Sequence, residues 1–215
     1  IDIILITHDH SDHVRHLKTL VERYSKPFLT TAKIISSINS HPFTGGIKAG
    51  FAKAVEKESL FTFKGISITA FEVFHDAVET LGFHIDFKGE KFTFVTDIGI
   101  ITDKVIEYCR MSHNLIIESN YDTQMLEKGG YPPVLINRIK GGKGHLSNRE
   151  TATALKHIYT PEMKNIFLCH LSENNNTPEL AYRESLKSLG EIGVSVGTDL
   201  SLECLPRKSH VCYFV

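Results

Sequence analysis

The sequence predicts an α/β fold in which two β-sheets pack face to face with helices outside, an αββα sandwich. Three observations point there. An apolar run, Ile1 to Thr7, gives way abruptly to a histidine-rich turn and a helical repeat; residues 59–96 carry consecutive strand patterns; and from Thr102 onward helix and strand patterns alternate.

Taken in order, Ile1-Asp2-Ile3-Ile4-Leu5-Ile6 is β-branched and nearly all apolar, which reads as a buried strand. Val14, Leu17, Leu20, Val21 and Tyr24 recur at helical spacing until Ser25-Lys26-Pro27 stops them. Pro27 to Thr30 reads as a short strand, Thr31 as a cap and Ala32 to Asn39 as a helix. Phe43 to Lys57 is glycine-bearing and irregular, the composition of a flap. Ser59 to Phe63 and Ile66 to Phe74 alternate as strands around Lys64-Gly65, and Leu81 to Phe87 pairs with Lys91 to Thr96 around Lys88-Gly89-Glu90. Thr102 caps a helix to Met111, and Leu115-Ile116-Ile117 is a buried strand. Asp122 to Lys128 is a short helix, Gly129 to Gly144 a long basic, glycine-rich connection, Ser147 to Tyr159 a capped helix and Ile166 to Cys169 a strand. Thr177-Pro178 opens another helix, with strands near Leu200 and Cys212.

The 215 residues, 41% hydrophobic and 23% charged, suffice for one domain with a substantial core. A net charge of -1 excludes a protein that coats nucleic acid by charge alone, so a nucleic-acid substrate requires a local basic patch. Cys109, Cys169, Cys204 and Cys212 are scattered, without C-x-x-C spacing; they read as reduced core filler in a cytoplasmic protein. No apolar stretch approaches the roughly 18 residues of a membrane helix. The chain opens without Met, already inside a strand, and an unpaired apolar edge there is a liability. Further N-terminal residues, roughly 50, are therefore expected from usual domain anatomy.

His8-Asp9-His10-Ser11-Asp12-His13 packs three imidazoles and two carboxylates into a strand-to-helix turn. The plain reading is a polar helix start capped by Asp9, Ser11 or Asp12. The density of ligand chemistry favours a dinuclear metal centre instead. Three more positions end apolar strands with a metal-capable side chain: His75, Asp97 and His170. Strand ends deliver side chains to one rim of a sheet, so these residues can converge on the first cluster. Imidazole with carboxylate suits zinc or manganese, with iron a third candidate, rather than calcium or magnesium.

With these residues in view the chain resembles a metallo-β-lactamase-fold hydrolase, and within that superfamily the YycJ (WalJ) group of phosphodiesterase-like proteins. The resembling segments are the H-x-H-x-D-H turn, His75-Asp76-Ala77 with Leu81-Gly82-Phe83, Thr96-Asp97-Ile98-Gly99, Glu118-Ser119-Asn120, Gly144-His145-Leu146-Ser147-Asn148, and His170-Leu171-Ser172 leading to Asn174-Asn175. The resemblance implies that His8, His10 and His75 hold one divalent metal, that Asp12, His13 and His170 hold the other, and that Asp97 bridges them. His145 occupies the place that in the more distant ribonuclease Z donates a proton to the leaving group, and Glu118 is placed to orient it. Tyr121 stands where the group usually has His, so that residue's role does not carry over. The strands that precede the first metal motif elsewhere in the superfamily are absent from this chain.

The function implied is dinuclear-metal-dependent hydrolysis of phosphodiesters, a 5'-to-3' DNA exonuclease in which Asp12 and the metal pair activate water and His145 is the general acid. Arg138, Lys140 and Lys143 lie among glycines just before His145 and either grip neighbouring phosphates or form a solvated loop. Asn148 joins the candidate substrate contacts, as do Asn174 and Asn175, whose alternative is a turn before the Thr177 cap. The competing functions are hydrolysis of a small thioester or lactam, disfavoured by the GHLSN segment and the basic loop, and a non-catalytic metal-containing nucleic-acid-binding module. A structural zinc needs four ligands, not seven.

Overall fold

A computed structural model of the chain describes residues 1–40, 42, 44–209 and 211–212. The opening run pairs only as β1 (Ile4–Leu5), and Ile1 lies exposed, so the strand is shorter than its composition suggests. The repeat after the histidine turn divides into α1 (Ser11–Val14) and α2 (Leu17–Tyr24), which bury Val14, Leu17 and Val21. No side chain caps α1, which disposes of the helix-cap reading of the histidine turn. β2 (Phe28–Thr30) and α3 (Ala32–Ser40) follow. The expected flap instead contributes β3 (Ala52–Ala54), parallel to β2 and tied down by Val55 N–H donating to Thr30 O at 2.9 Å. Phe43, where the expected flap began, lies outside the described residues. β1, β2 and β3 make a three-stranded sheet in that order.

The second sheet is larger. β4 (Leu60–Phe63), β5 (Ile66–Val73), β6 (Thr80–Phe87) and β7 (Glu90–Val95) run antiparallel, as their short connections require. α4 (Asp103–Arg110) then crosses over to β8 (Asn114–Glu118), which joins β7 in parallel. α5 (Thr123–Lys128), α6 (Pro133–Lys140) and α7 (Asn148–Ile158) precede β9 (Asn165–Cys169); α8 (Pro178–Gly190) precedes β10 (Ser201–Cys204). The sheet order is β10-β9-β8-β7-β6-β5-β4. α6 corrects the expectation of an irregular connection over 129–144: Pro133 at its first turn nucleates it, and the glycines are confined to its flanks. Val211 and Cys212 form no strand, and the rest of the strand expected there lies outside the described residues. Cys109 and Cys169 are buried as expected of core filler, whereas Cys212 is exposed.

The two faces of β5 and β6 explain the layers. Ile68 and Ala70, with Leu81 and Phe83, face the small sheet and the helices over it, joining Val21, Leu29, Ile34 and Ile38 in one apolar cluster. Phe71 and Val73 point the other way, into a second cluster with β7–β9 and helices α4, α7 and α8. Period-two alternation therefore sorts one strand into two cores and stacks helix, sheet, sheet, helix. Among the described residues no helix is long and apolar enough to cross a membrane.

Gly82 pairs with Phe71 across β5 and β6, and the Phe71 ring covers it: a Cβ on Gly82 would sit 2.4 Å from the ring. Phe71 in turn stacks on Tyr108 at 4.3 Å between centroids. Gly82→Ala should therefore destabilise by about 1–3 kcal/mol through overpacking. Chemical denaturation checks this, with Phe71→Leu in the same chain recovering part of the loss.

Candidate metal centre and active site

Three adjacent parallel strands deliver the heart of the site. Val95 of β7 lies opposite Ile117 of β8, and Ile117 opposite Leu168 of β9, so Asp97, Glu118 and His170 emerge together at the carboxyl ends. Asp97 and His170 both adopt left-handed backbone, φ 53° and 55°, which bends each chain sharply as it leaves its strand. Such conformations cost about 1–3 kcal/mol each in a non-glycine residue and persist only where the surroundings impose them. Glu118, fully buried, imposes them here. Its Oε2 accepts the Asp97 backbone N–H at 2.9 Å and His170 Nδ1–H at 2.6 Å, and its Oε1 accepts Leu146 N–H at 2.9 Å.

The histidine turn comes in from the small sheet. Thr7 O accepts the Leu81 N–H at 2.9 Å, and the Thr7 hydroxyl bonds Nδ1 of His8 at 3.0 Å and of His13 at 3.4 Å. Asp9 accepts bonds from the Ser37 hydroxyl and from Val78 N–H, so it braces the turn from behind. His75, beyond β5, donates Nδ1–H to Gly144 O at 2.9 Å, leaving Nε2 free.

These elements bring six of the seven expected ligands into groups within ligand range, with Asp12 beside them at the mouth. His8, His10 and His75 present donor atoms within 4.8 Å of one another, and so do His8, His13 and Asp97. Asp97 lies between the groups: Oδ1 is 3.8 Å from His75 Nε2 and 3.7 Å from His170 Nε2, and Oδ2 is 3.5 Å from His13 Nε2. Asp12 is the most exposed of the set, its carboxylate 3.8 Å from His13 Nε2 at the mouth. The donor set fits divalent cations on a direct observation: His8 Nε2 and Asp97 Oδ2 are buried without a hydrogen-bond partner, an arrangement that costs about 1–3 kcal/mol per atom unless a cation takes up the lone pair. Burial and the neighbouring His13 push His8 down to about 2, so it stays a neutral ligand.

Glu118 and His145 also come within ligand range of Asp97 and His170. The carboxylate of Glu118 is saturated with donors, however, including His145 Nδ1 at 3.2 Å, and reads as a positioning group behind two histidines. Burial alone would raise its pKa; the bonds from His145 and His170 outweigh burial and hold it at about 2. Burial would lower His170 and His145, but the hydrogen bond and charge of Glu118 dominate in sum, raising His170 to about 9 and His145 above its ordinary value.

The expected substrate contacts divide. Arg138 and Asn174 line the 500 Å³ cavity over the ligands. Lys140 does not; it pairs with Glu127 at 2.8 Å and faces a separate cavity beside Ile100. Lys143 is exposed on the loop. Asn148 is buried, donating to Asn176 Oδ1 at 2.8 Å and accepting from the Ser119 hydroxyl at 2.7 Å, and Asn175 is buried behind the site, its carbonyl accepting Asp122 N–H. Residue types alone overlooked Asn120, Tyr131, Ser172, Arg207 and Asp76. Asp76 is informative: Oδ1 is buried, 3.3 Å from His75 Nε2 and 3.6 Å from His10 Nε2, while Oδ2 accepts Arg138 Nε–H at 2.5 Å. Its place next to His75 was the available signal.

A family model described as Beta-lactamase superfamily domain matches residues 1–170, a span that includes every candidate ligand named above. The chain is 32% identical over 194 residues to exodeoxyribonuclease YycJ of Bacillus anthracis, covering 90% of this chain and 73% of the relative. It is 31% identical over 202 residues to exodeoxyribonuclease WalJ of Streptococcus pneumoniae, covering 94% and 75%. Among solved structures, Zn(2+)-bound PqqB from Methylobacterium extorquens superposes with a TM-score of 0.66 at 17% identity over 95% of this chain and 71% of that one, a likeness of fold.

The charges around Glu118 set a pH profile for the metal-free protein. Glu118, depressed from 4.5 to about 2, contributes stability that is present above 4.5 and lost as pH falls toward 2; His8, depressed from 6.5, adds a loss as pH falls below 6.5. His170, raised from 6.5 to about 9, contributes stability that is complete below 6.5 and lost as pH rises through 9. Denaturant midpoints of chelator-treated protein should therefore peak near pH 6.5, and His170→Ala should flatten the alkaline limb. A wild-type profile that is level from 6.5 to 9 contradicts this account.

Proposed function

The chain belongs to the beta-lactamase superfamily and, within it, to the YycJ/WalJ exodeoxyribonuclease group, a metal-dependent hydrolase, and from that premise we propose that it cleaves DNA phosphodiesters as an exonuclease. The observation that carries the reading is His145, a non-ligand imidazole in the wall of the ligand cavity, backed by a buried carboxylate. In this reading His8, His10, His75, Asp12, Asp97, His13 and His170 would hold divalent cations, two of zinc or manganese. When bound, such a pair supplies Lewis-acid charge and brings the pKa of water toward neutrality.

The remaining steps belong to the protein's own groups. With Nδ1 committed to Glu118, the proton that His145 can transfer sits on Nε2, and the hydrogen bond and charge of Glu118 favour the protonated ring. His145 gives that proton to the departing oxygen as the P–O bond breaks. Asp12, exposed at the mouth, takes the proton of the attacking water. Arg138 and Asn174 hold the strand beside the reacting phosphate. The cavity lining, almost wholly polar or ionisable, suits a charged diester better than a lactam ring.

Metal analysis combined with assays on labelled DNA, RNA, bis-p-nitrophenyl phosphate and a lactam tests the proposal. His145→Ala should keep its metal and lose about 10²- to 10⁴-fold in turnover on DNA, the usual range for a general acid. Asp97→Ala should lose metal itself. Cleavage of a lactam or thioester with inert phosphodiesters would overturn the proposal.

A further inference from the structure

A second cavity, about 280 Å³, opens off the ligand cavity on the side of α6. His75, Asn120, Tyr131, Arg138, His145 and Ser172 wall both, so the two cavities adjoin at His145. Beyond that shared wall the side cavity is lined by Leu135 and Ile139, one helical turn apart on α6, with Gly144 and the Arg138-paired Asp76 completing it. α6 buries none of its residues, and Leu135 and Ile139 are only half-covered. Tyr131 is held at both ends: Pro132 follows it and restricts its backbone, and its hydroxyl accepts Asn174 Nδ2–H at 3.0 Å.

A general acid must touch the oxygen that leaves, so whatever that oxygen is attached to has to lie next to His145. Outside the ligand cavity, the space adjoining His145 is this cavity. Its volume lies just below the roughly 300–1,000 Å³ of ordinary small-molecule sites, which suits a single nucleoside and no longer fragment. A pinned aromatic ring with two aliphatic side chains gives a flat apolar surface for a base of any identity. Arg138 stands at the junction; its Nε–H is engaged with Asp76, and the other guanidinium N–H groups are suited to the phosphate on the far side of that nucleoside.

We propose that this cavity seats the terminal nucleoside of the DNA strand as the leaving group, base against Tyr131, Leu135 and Ile139 and 5'-phosphate toward Arg138, so that each turnover releases one mononucleotide. The proposal rests on the phosphodiesterase reading. Water adds to phosphorus and gives a proton to Asp12; the bond from phosphorus to the 3'-oxygen of the seated nucleoside breaks, and that oxygen keeps the electron pair and takes the His145 proton. The phosphate stays on the remaining strand, whose new 5' end is the next substrate.

The test uses the metal-loaded protein with 5'-labelled single-stranded DNA and, separately, deoxyadenosine 5'-monophosphate as the binding probe. Wild type should release the label as a mononucleotide from the first turnover and bind the probe. Tyr131→Ala should keep its metal content and melting temperature, bind the probe about tenfold more weakly and raise KM for DNA by a similar factor, as loss of one stacking contact implies. Leu135→Trp, which fills the cavity, should abolish mononucleotide release. Label emerging in fragments longer than one nucleotide, or a Tyr131→Ala enzyme with unchanged probe affinity and KM, overturns the proposal while leaving the phosphodiesterase reading intact. A wild type inert toward both DNA and bis-p-nitrophenyl phosphate overturns both.

Discussion

One buried carboxylate holds the site together. Glu118 has no solvent exposure and accepts four donors: two backbone N–H groups, from Asp97 and Leu146, and two imidazoles, from His145 and His170. It ends β8, the middle of three parallel strands, so its side chain reaches the first residues past both neighbouring strands and the loop that carries His145. Removing one partner from such a buried charged network costs about 3–5 kcal/mol, because the other charges are left uncompensated. The same group that accepts the Asp97 N–H and the His170 ring also fixes the His145 ring. The geometry of the candidate ligands and, under the proposed function, of the proton donor is thus set by a single buried residue.

A second constraint ties α6 to the ligands. The loop after α6 lies directly on the turn beyond β7 because glycines remove the side chains between them: a Cβ on Gly99 would lie 2.5 Å from Gly142 O, and one on Gly142 would lie 2.6 Å from Ile100 Cδ1. Gly144 O then accepts the His75 Nδ1–H, and the Asp76–Arg138 pair makes a second link from the ligand turn to α6. A helix with no buried residue is therefore positioned through contacts to the centre it walls.

Much of this was legible in the sequence, and what was not had physical reasons. Ligands at strand ends, such as His75, Asp97 and His170, announce themselves because an apolar run stops at a polar, metal-capable residue. Asp76 and Tyr131 do not, since a carboxylate beside a histidine and a tyrosine beside prolines are ordinary surface chemistry until tertiary contacts place them. Asn148 misled in the opposite direction: its segment is part of the site, but its side chain turns inward to Ser119 and Asn176 as α7 begins. Lys140 shares a helix with Arg138 but sits two residues on, and in a helix that spacing points a side chain to a different face. β3 was lost in a glycine-bearing stretch of three residues too short to show a period, and α6 was hidden by the glycines at both its ends.

The charge distribution says what kind of encounter the fold is built for. A chain of net charge -1 has no long-range field to draw in a polyanion, and its cavity is lined by the carboxylates of Asp12, Asp97 and Glu173. Divalent cations held by the candidate ligands would reverse the sign of that cavity, with Arg138 and Arg207 as further positive charges in its lining. Under the proposed function, charge-assisted bonds to phosphate would form within a few ångströms of the reacting centre. Such a pocket would favour the end of a strand that has entered the cavity over the length of a duplex lying across the protein.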